Sequence, residues 1–598
     1  MMMRAKHGQQ SRRRWAWLVA GAAAGMVAAC GATDESPDDG SGGSRATTST
    51  GGAGSGGEIS GPSVTIGVGG GSLCDTSCST DLQRVIDCNG QVVVECPEDQ
   101  GCGEAGTCVP ACDAASDNAS TFGCDFYSVT PAVISESRGS CFAVMVANTW
   151  KGAINVSAEY AGQTIDATQY LYRPVGQGAG LTYQPTNGTL QPGELGILFL
   201  SKYESGDIFQ VDCPVPQALE MSTQIQDTGR GQAFRITTDR PIVAYDVYPW
   251  GGASSFVTSA TLLLPTPTWG TNFVSADAWD AQFGNPFTQV VASEDDTTIT
   301  MVPPNAVVGG NGLPSIPANT AGTFTLNRGE VAQFVQPTRL AGSALQSDKP
   351  ISVWGGATCM NIPAGVAACD AAHQQLLPVP TLGNEYAAVR YPSRGGDDSA
   401  PYTLVGMVDG TTLTYDPAPP PGAPATLQQG ELQVFFTDQV FSVASQDGDH
   451  PFYMAAHMTG ALTNPTQNGD PEYVNLVPPA QYLDFYLFAT DPTYRFTSLV
   501  FVRQQAPDGT FKDVTLDCFG PLTGWQPMGT AGTYEYLQLP IVTNGAGVGG
   551  CNNGAHTASS EFPFGLTVWG YDNAASYGYP AGMAVETINQ VVIPPIPK

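Results

Sequence analysis

The chain has 598 residues, with 42% hydrophobic and only 13% charged, and it carries 71 Gly and 46 Pro. That length asks for several cores rather than one, and so little charge beside so much Gly and Pro favours short strands and turns over long helices. The net charge of −31 repels phosphate backbones and anionic lipid surfaces, which sets nucleic acid aside as a partner.

The first element is an export signal. A basic stretch ends at Arg14, an apolar run covers 16–29, and Cys30 follows. The run is too short to span a bilayer and has the length of a signal h-region. Val27-Ala28-Ala29-Cys30 resembles the lipobox of bacterial lipoproteins, which implies removal of 1–29 and a lipid on Cys30. Loss of the five basic residues of that leader leaves 18 basic against 54 acidic residues, a net charge near −36. The expected location is the cell envelope, at the outer membrane or cell surface, with the membrane reached through the lipid anchor. Residues 30–70 are rich in Gly, Ser, Thr and Asp and bury too little apolar surface to offset their ordering entropy, so they read as a flexible tether.

A small cysteine-rich module follows at 71–112, with Cys74, Cys78, Cys88, Cys96, Cys102, Cys108 and Cys112. Cys88, the turn pair Asn89-Gly90 and Gln91-Val92-Val93-Val94 read as a hairpin. So short a module needs crosslinks to hold together. Its spacing resembles small EGF-like modules of surface proteins. Of the 15 cysteines, 14 follow Cys30, an even number in an exported chain, which points to seven disulfides. Cys359–Cys369 and Cys518–Cys551 are expected as local pairs, and Cys112–Cys124 with Cys141–Cys213 as bridges into the first repeat. Histidine is scarce, at five, and none lies in the cluster, so no metal is expected.

From 113 to 598 the chain repeats itself. Asp239-Arg240-Pro241-Ile242, Asp348-Lys349-Pro350-Ile351 and Asp449-His450-Pro451-Phe452 recur at steps of 109 and 101 residues. Each is preceded by a Gly-Glu pair (Gly193-Glu194, Gly329-Glu330, Gly430-Glu431) and trailed by Leu264-Pro265, Leu377-Pro378 or Val477-Pro478. Asp296-Thr297-Thr298 and Asp409-Gly410-Thr411-Thr412 mark a further repeated turn. Between these marks lie strand-like runs such as Ile351-Ser352-Val353-Trp354, and Pro at the start of a strand sacrifices no ladder hydrogen bond. The expected fold is all-β: three to four tandem repeats of antiparallel β units, either sandwich-like or as blades of a propeller-like ring, with about seven strands per repeat.

The β region resembles the family named for the N-terminal region of the IgGFc-binding protein. The likeness rests on Cys124-Asp125-Phe126-Tyr127, on Cys141-Phe142-Ala143-Val144, on the run from Phe234 to Val274, and on Phe564 to Tyr571 with Ser576 to Pro580. It covers about 122–598 and implies an extracellular, β-rich binding or structural module without catalytic residues.

No Gly-Xaa-Ser-Xaa-Gly, His-Glu-Xaa-Xaa-His or phosphate-binding loop occurs, and Gly545 to Gly550 lacks the following helix that a dinucleotide site needs. No cofactor is expected. Gly469-Asp470-Pro471, Asp295-Asp296 and Asp447-Gly448-Asp449 read as turns. The aromatic-glycine segments Tyr248-Pro249-Trp250-Gly251-Gly252, Trp354-Gly355-Gly356 and Tyr577-Gly578 read as recognition loops, which makes Trp250, Trp354 and Tyr577 the candidate binding residues. The function so read is a lipid-anchored surface protein for adhesion or binding, not an enzyme, that recognises an extracellular protein or glycan. A secreted hydrolase of glycans or peptides, or a structural coat protein, is the alternative.

Overall fold

The structure is a computed structural model, and it describes residues 76–207, 209–252, 257–395 and 399–595. The leader, Cys30, the tether and Cys74 lie outside the described residues.

The first described elements form a three-stranded sheet of β1 (Ser77–Cys78), β2 (Arg84–Ile86) and β3 (Val92–Glu95), with β2 in the middle. Disulfides Cys78–Cys102 and Cys96–Cys108 tie it to the hairpin at 100–110; Cys88 is also disulfide-bonded. Helix α1 (Ala111–Asp117) then leads into the β region, and Cys112–Cys124 fastens it there.

Four units with one topology follow. The third shows it most simply, as two separate four-stranded sheets. One orders Glu385–Ala388, Phe441–Ser445, Thr411–Asp416 and Thr426–Leu427; the other orders Leu432–Thr437, Ala400–Gly406, Phe452–Met458 and Glu472–Asn475. Tyr402, Leu404, Phe435, Phe441 and Met454 fill the space between the sheets, so the unit is a sandwich with an apolar core. In the other three units one long strand serves both sheets. These strands are β4 (Phe234–Tyr248), β6 (Ala344–Met360) and β10 (Ala555–Asp572), each followed by a short inner strand, β5 (Ser259–Leu262), β7 (Asp370–Gln375) and β11 (Ala575–Pro580). In the third unit the corresponding pair is β8 (Phe452–Met458) and β9 (Glu472–Asn475).

The repeated sequence marks explain this topology. Pro241 and Pro350 stand where the long strand leaves one sheet for the other, and Pro451 where the chain enters the second sheet of the third unit, points at which a ladder donor is dispensable. The preceding acid braces the crossing: Asp239 and Asp348 each accept a backbone N–H of the facing strand, from Asn155 and Thr298, at 2.8 Å. The Gly-Glu pair is a turn. Its glycine has φ near +75° in all three copies, and its glutamate accepts the backbone N–H three residues earlier, at 2.8 Å each time, for Glu194, Glu330 and Glu431. Thr297 and Thr411 close the third mark by donating to the carbonyl three residues back, both at 2.8 Å. The fourth copy, Glu561-Phe562-Pro563-Phe564, keeps the proline, the apolar residue and an acid, with Phe562 in place of the cation, and the register of β10 shifts there in the same way.

The four sandwiches close into a ring. Inner strand β5 meets β7, β7 meets β9, β9 meets β11, and β11 meets β5. The first and last segments seal the seam: Thr121 and Val585 donate to Met583 and Ala119, and Ser120 bridges Ala584. Sandwich and ring were alternatives in the sequence; the molecule is a ring of sandwiches.

Candidate functional site

The inner strands meet on a polar axis. Asp370 of β7 accepts from Thr258 N at 3.1 Å, Thr258 Oγ1 at 3.0 Å and Ser576 N at 3.1 Å, which joins three units at one carboxyl group. Gln374 donates to the carbonyls of Ala260 and Gly578, both at 3.0 Å. His373 lies 2.6 Å from Asp246 and 2.9 Å from Ser259 Oγ. A serine, a histidine and an aspartate in that order are the parts of an acyl-transfer nucleophile. Here all three are buried, and Ser259 Oγ also accepts the His373 backbone N–H at 3.0 Å. The arrangement ties Asp246 and Ser259 of the first unit to His373 of the second.

Burial governs the acids of this axis. It holds the Asp370 carboxyl well above the ordinary range, with the Asp470 charge adding to the effect. It raises Asp470 and Glu472 in the same sense, and it pushes Asp491 up to about 6. Buried His457 is driven the other way, to about 3, and its Nε2–H donates to the Ala278 carbonyl at 3.1 Å.

The three aromatics of the expected recognition surface are inside the protein, each no more than 1% exposed. Trp250 packs edge-on against Phe199 and donates to the Tyr183 hydroxyl at 2.8 Å. Trp354 sits within strand β6, edge-on to Trp269. Tyr577 lies in inner strand β11, where its hydroxyl accepts the Asp491 backbone N–H at 2.9 Å. The physical reason is close packing. A Cβ on Gly355 would come within 1.8 Å of the Ala276 carbonyl oxygen, and one on Gly356 within 2.2 Å of that of Ala372. These glycines let backbones approach in mid-strand; they do not mark a loop.

The exposed candidate lies at the end of the ring where the long strands turn back into the inner strands. In the second unit that turn is the hairpin 361–369, closed by Cys359–Cys369. Asn361 Nδ2 donates inward to the carbonyls of Val366 and Ala368, both at 2.8 Å, and fixes the hairpin's shape. Gln282 stitches the neighbouring loop to it, donating to Asn361 O at 3.0 Å and accepting from Gly365 N at 3.2 Å. Between them is a hollow of about 450 Å³ walled by Val366, Ala367, Ala368 and Phe283. Phe283 is 65% exposed, a large apolar side chain held in water by a framed loop. Such a wall suits an apolar side chain from a partner. Nothing in the sequence marked Phe283; the Cys359–Cys369 spacing marked only the hairpin beside it.

The four expected disulfides Cys112–Cys124, Cys141–Cys213, Cys359–Cys369 and Cys518–Cys551 are present. Asp517, Cys518 and His556 cluster, but the Cys518 sulfur is spent in a disulfide, so no thiolate is there for a metal. The Gly545–Gly550 stretch turns back from strand Tyr534–Thr543 and pairs Ala546–Gly547 with its end, and a strand rather than a helix is the next element.

A family model described as IgGFc binding protein matches residues 259–570. No curated protein and no solved structure matches the chain.

Proposed function

The chain belongs to the IgGFc binding protein family, and from that premise we propose that it is a surface-displayed binding protein whose loop end grips an apolar segment of an extracellular protein. The observation that carries this reading is the hollow at Phe283: apolar walls, a disulfide-closed hairpin behind them, and a side chain exposed to water without a packing reason. A framed loop loses little freedom on binding, which keeps the ordering cost of an interface low.

To test it, the full chain is screened against a panel of extracellular proteins, the immunoglobulin Fc fragment among them, together with a glycan array. For any protein captured, Phe283→Asp is expected to weaken binding at least tenfold and to leave thermal unfolding unchanged. Capture that survives this substitution at full strength places the interface elsewhere and sinks the reading.

We further propose that the chain is divided at 1–29, 30–70, 71–112 and 113–598, into leader, tether, cysteine-rich module and binding region, and that a lipid on Cys30 holds it at the cell envelope. Support comes from the short h-region ahead of Val27-Ala28-Ala29-Cys30. Cys30→Ser is expected to move the protein from the membrane fraction to the soluble fraction. An unchanged distribution rejects the anchor.

A further inference from the structure

One edge stands apart from the ring. Strand β3 pairs only with β2 among the described residues, so its outer edge presents backbone donors and acceptors to solvent. All four of its residues are exposed, with Val92, Val93 and Val94 at 48%, 54% and 45%. Three adjacent valines in water are costly on a surface, and native edges are ordinarily guarded by charge or proline. Here the sole irregularity is a register shift at Val93, which leaves the apolar strip in place.

The strip borders a groove. Ile86 and Val92 face Phe485 of the fourth unit across about 460 Å³, with Asp81, Asp484 and Ser560 at its polar margins. Glu95, Glu98 and Asp99 are exposed beside the strip, and Asp87 lies at its start. The nearby cations are engaged: Arg84 pairs with Asp81 at 2.8 Å, and Lys151 and Arg240 donate to the carbonyls of Cys96 and Glu98. The surroundings are therefore apolar in the centre and acidic at the ends.

We propose that the open edge of β3 and this groove form a docking site for an extended peptide segment of a partner protein, one with β-branched apolar residues flanked by lysine or arginine. The segment adds a strand to the sheet, its backbone meets the edge groups, and alternate side chains enter the groove. Charge decides against a second copy of this chain as the occupant: it carries the same acidic flanks and a net charge of −31, so like charges would face each other across the seam.

The probe is a synthetic peptide of alternating Val and Thr with Lys at both ends and in the middle, titrated into the full chain and read by fluorescence anisotropy. Its Glu counterpart serves as the control. Binding of the Lys peptide is expected, weakening several-fold when salt is raised from about 50 to about 500 mM, with none for the Glu peptide. Methylation of alternate peptide nitrogens is expected to abolish binding in one phase and spare it in the other, because only one set of N–H groups faces the edge. The pair of exposed substitutions Val92→Asp and Val93→Asp is expected to weaken binding at least tenfold, while Phe283→Asp leaves it unchanged. Equal binding of both methylated peptides, or of the Glu peptide, overturns the proposal. So does a dimer that Val93→Asp dissolves, which would give the edge to a second copy. Binding that emerges only once residues 60–70 are deleted would give it to the chain's own segment, and overturns it too.

Discussion

Replacing Trp354 with alanine is expected to lower the unfolding free energy by about 3–5 kcal/mol, the range for deleting a fully buried large aromatic. Trp354 is sealed between the first two units, in a cluster with Tyr127, Val129, Val291, Val331 and Trp269. The hole left behind has strand backbones for walls, and these cannot collapse into it without breaking ladder hydrogen bonds. Trp354→Phe discriminates further. The indole N–H meets no acceptor among the described residues, so its removal relieves an uncompensated polar burial, and phenylalanine is expected to cost under about 2 kcal/mol. Urea unfolding of both variants, followed by fluorescence and circular dichroism, checks the pair. Equal, small losses for Ala and Phe would mean that the side chain is exposed in solution, as a recognition loop requires.

The repeat marks were legible in the sequence because each performs a local task that only certain residues can do. Pro241, Pro350 and Pro451 sit where a donor is dispensable, and Glu194, Glu330 and Glu431 each close a turn through one side chain. The fourth copy escaped because its cation is replaced by an aromatic and its aspartate by glutamate: Glu561-Phe562-Pro563-Phe564 keeps the strand crossing under a changed sequence. Nor could the marks choose between sandwich and ring, since each describes a crossing or a turn inside one unit. Closure depends on contacts such as Gln374 to Gly578, which lie 204 residues apart.

The candidate site was legible only in part. Cys359 and Cys369 announced a closed hairpin by proximity, and the hollow stands beside it. The aromatic-glycine segments misled because glycine serves two purposes that look alike in a sequence. Gly251 has φ +90° and does turn the chain, whereas Gly355 and Gly356 admit neighbouring backbones in mid-strand. Tyr577-Gly578 read as a loop because the strand is short and follows a two-residue turn. Phe283 carried no signal, since an exposed phenylalanine is visible only after the fold has declined to bury it.

Replacing Asp491 with asparagine is expected to change how stability depends on pH. The Asp491 side chain accepts from Thr493 N at 2.8 Å and Thr493 Oγ1 at 2.7 Å through one oxygen, while the other is buried without a partner among the described residues. Burial raises its native value from 3.8 to about 6. Between those values the native carboxyl holds a proton that the unfolded one has released, so stability is greatest below about pH 4 and falls as pH rises through about 6. The total is about 3 kcal/mol, two units at about 1.4 kcal/mol each. Asparagine keeps the accepting oxygen and has no proton to lose. Asp491→Asn is therefore expected to gain on the parent by about 3 kcal/mol between about pH 4 and pH 8. Asp370, Asp470 and Glu472 are raised by burial in the same sense and steepen the parent's decline. His457, lowered to about 3, opposes it, because the unfolded histidine gains a proton below about pH 6.5 that the native one refuses. Both influences are common to parent and variant and cancel in the difference. Denaturant melts of the two proteins across that range measure it directly. A difference that stays flat with pH would show Asp491 to be ionised in the native ring, and with it that water reaches the axis.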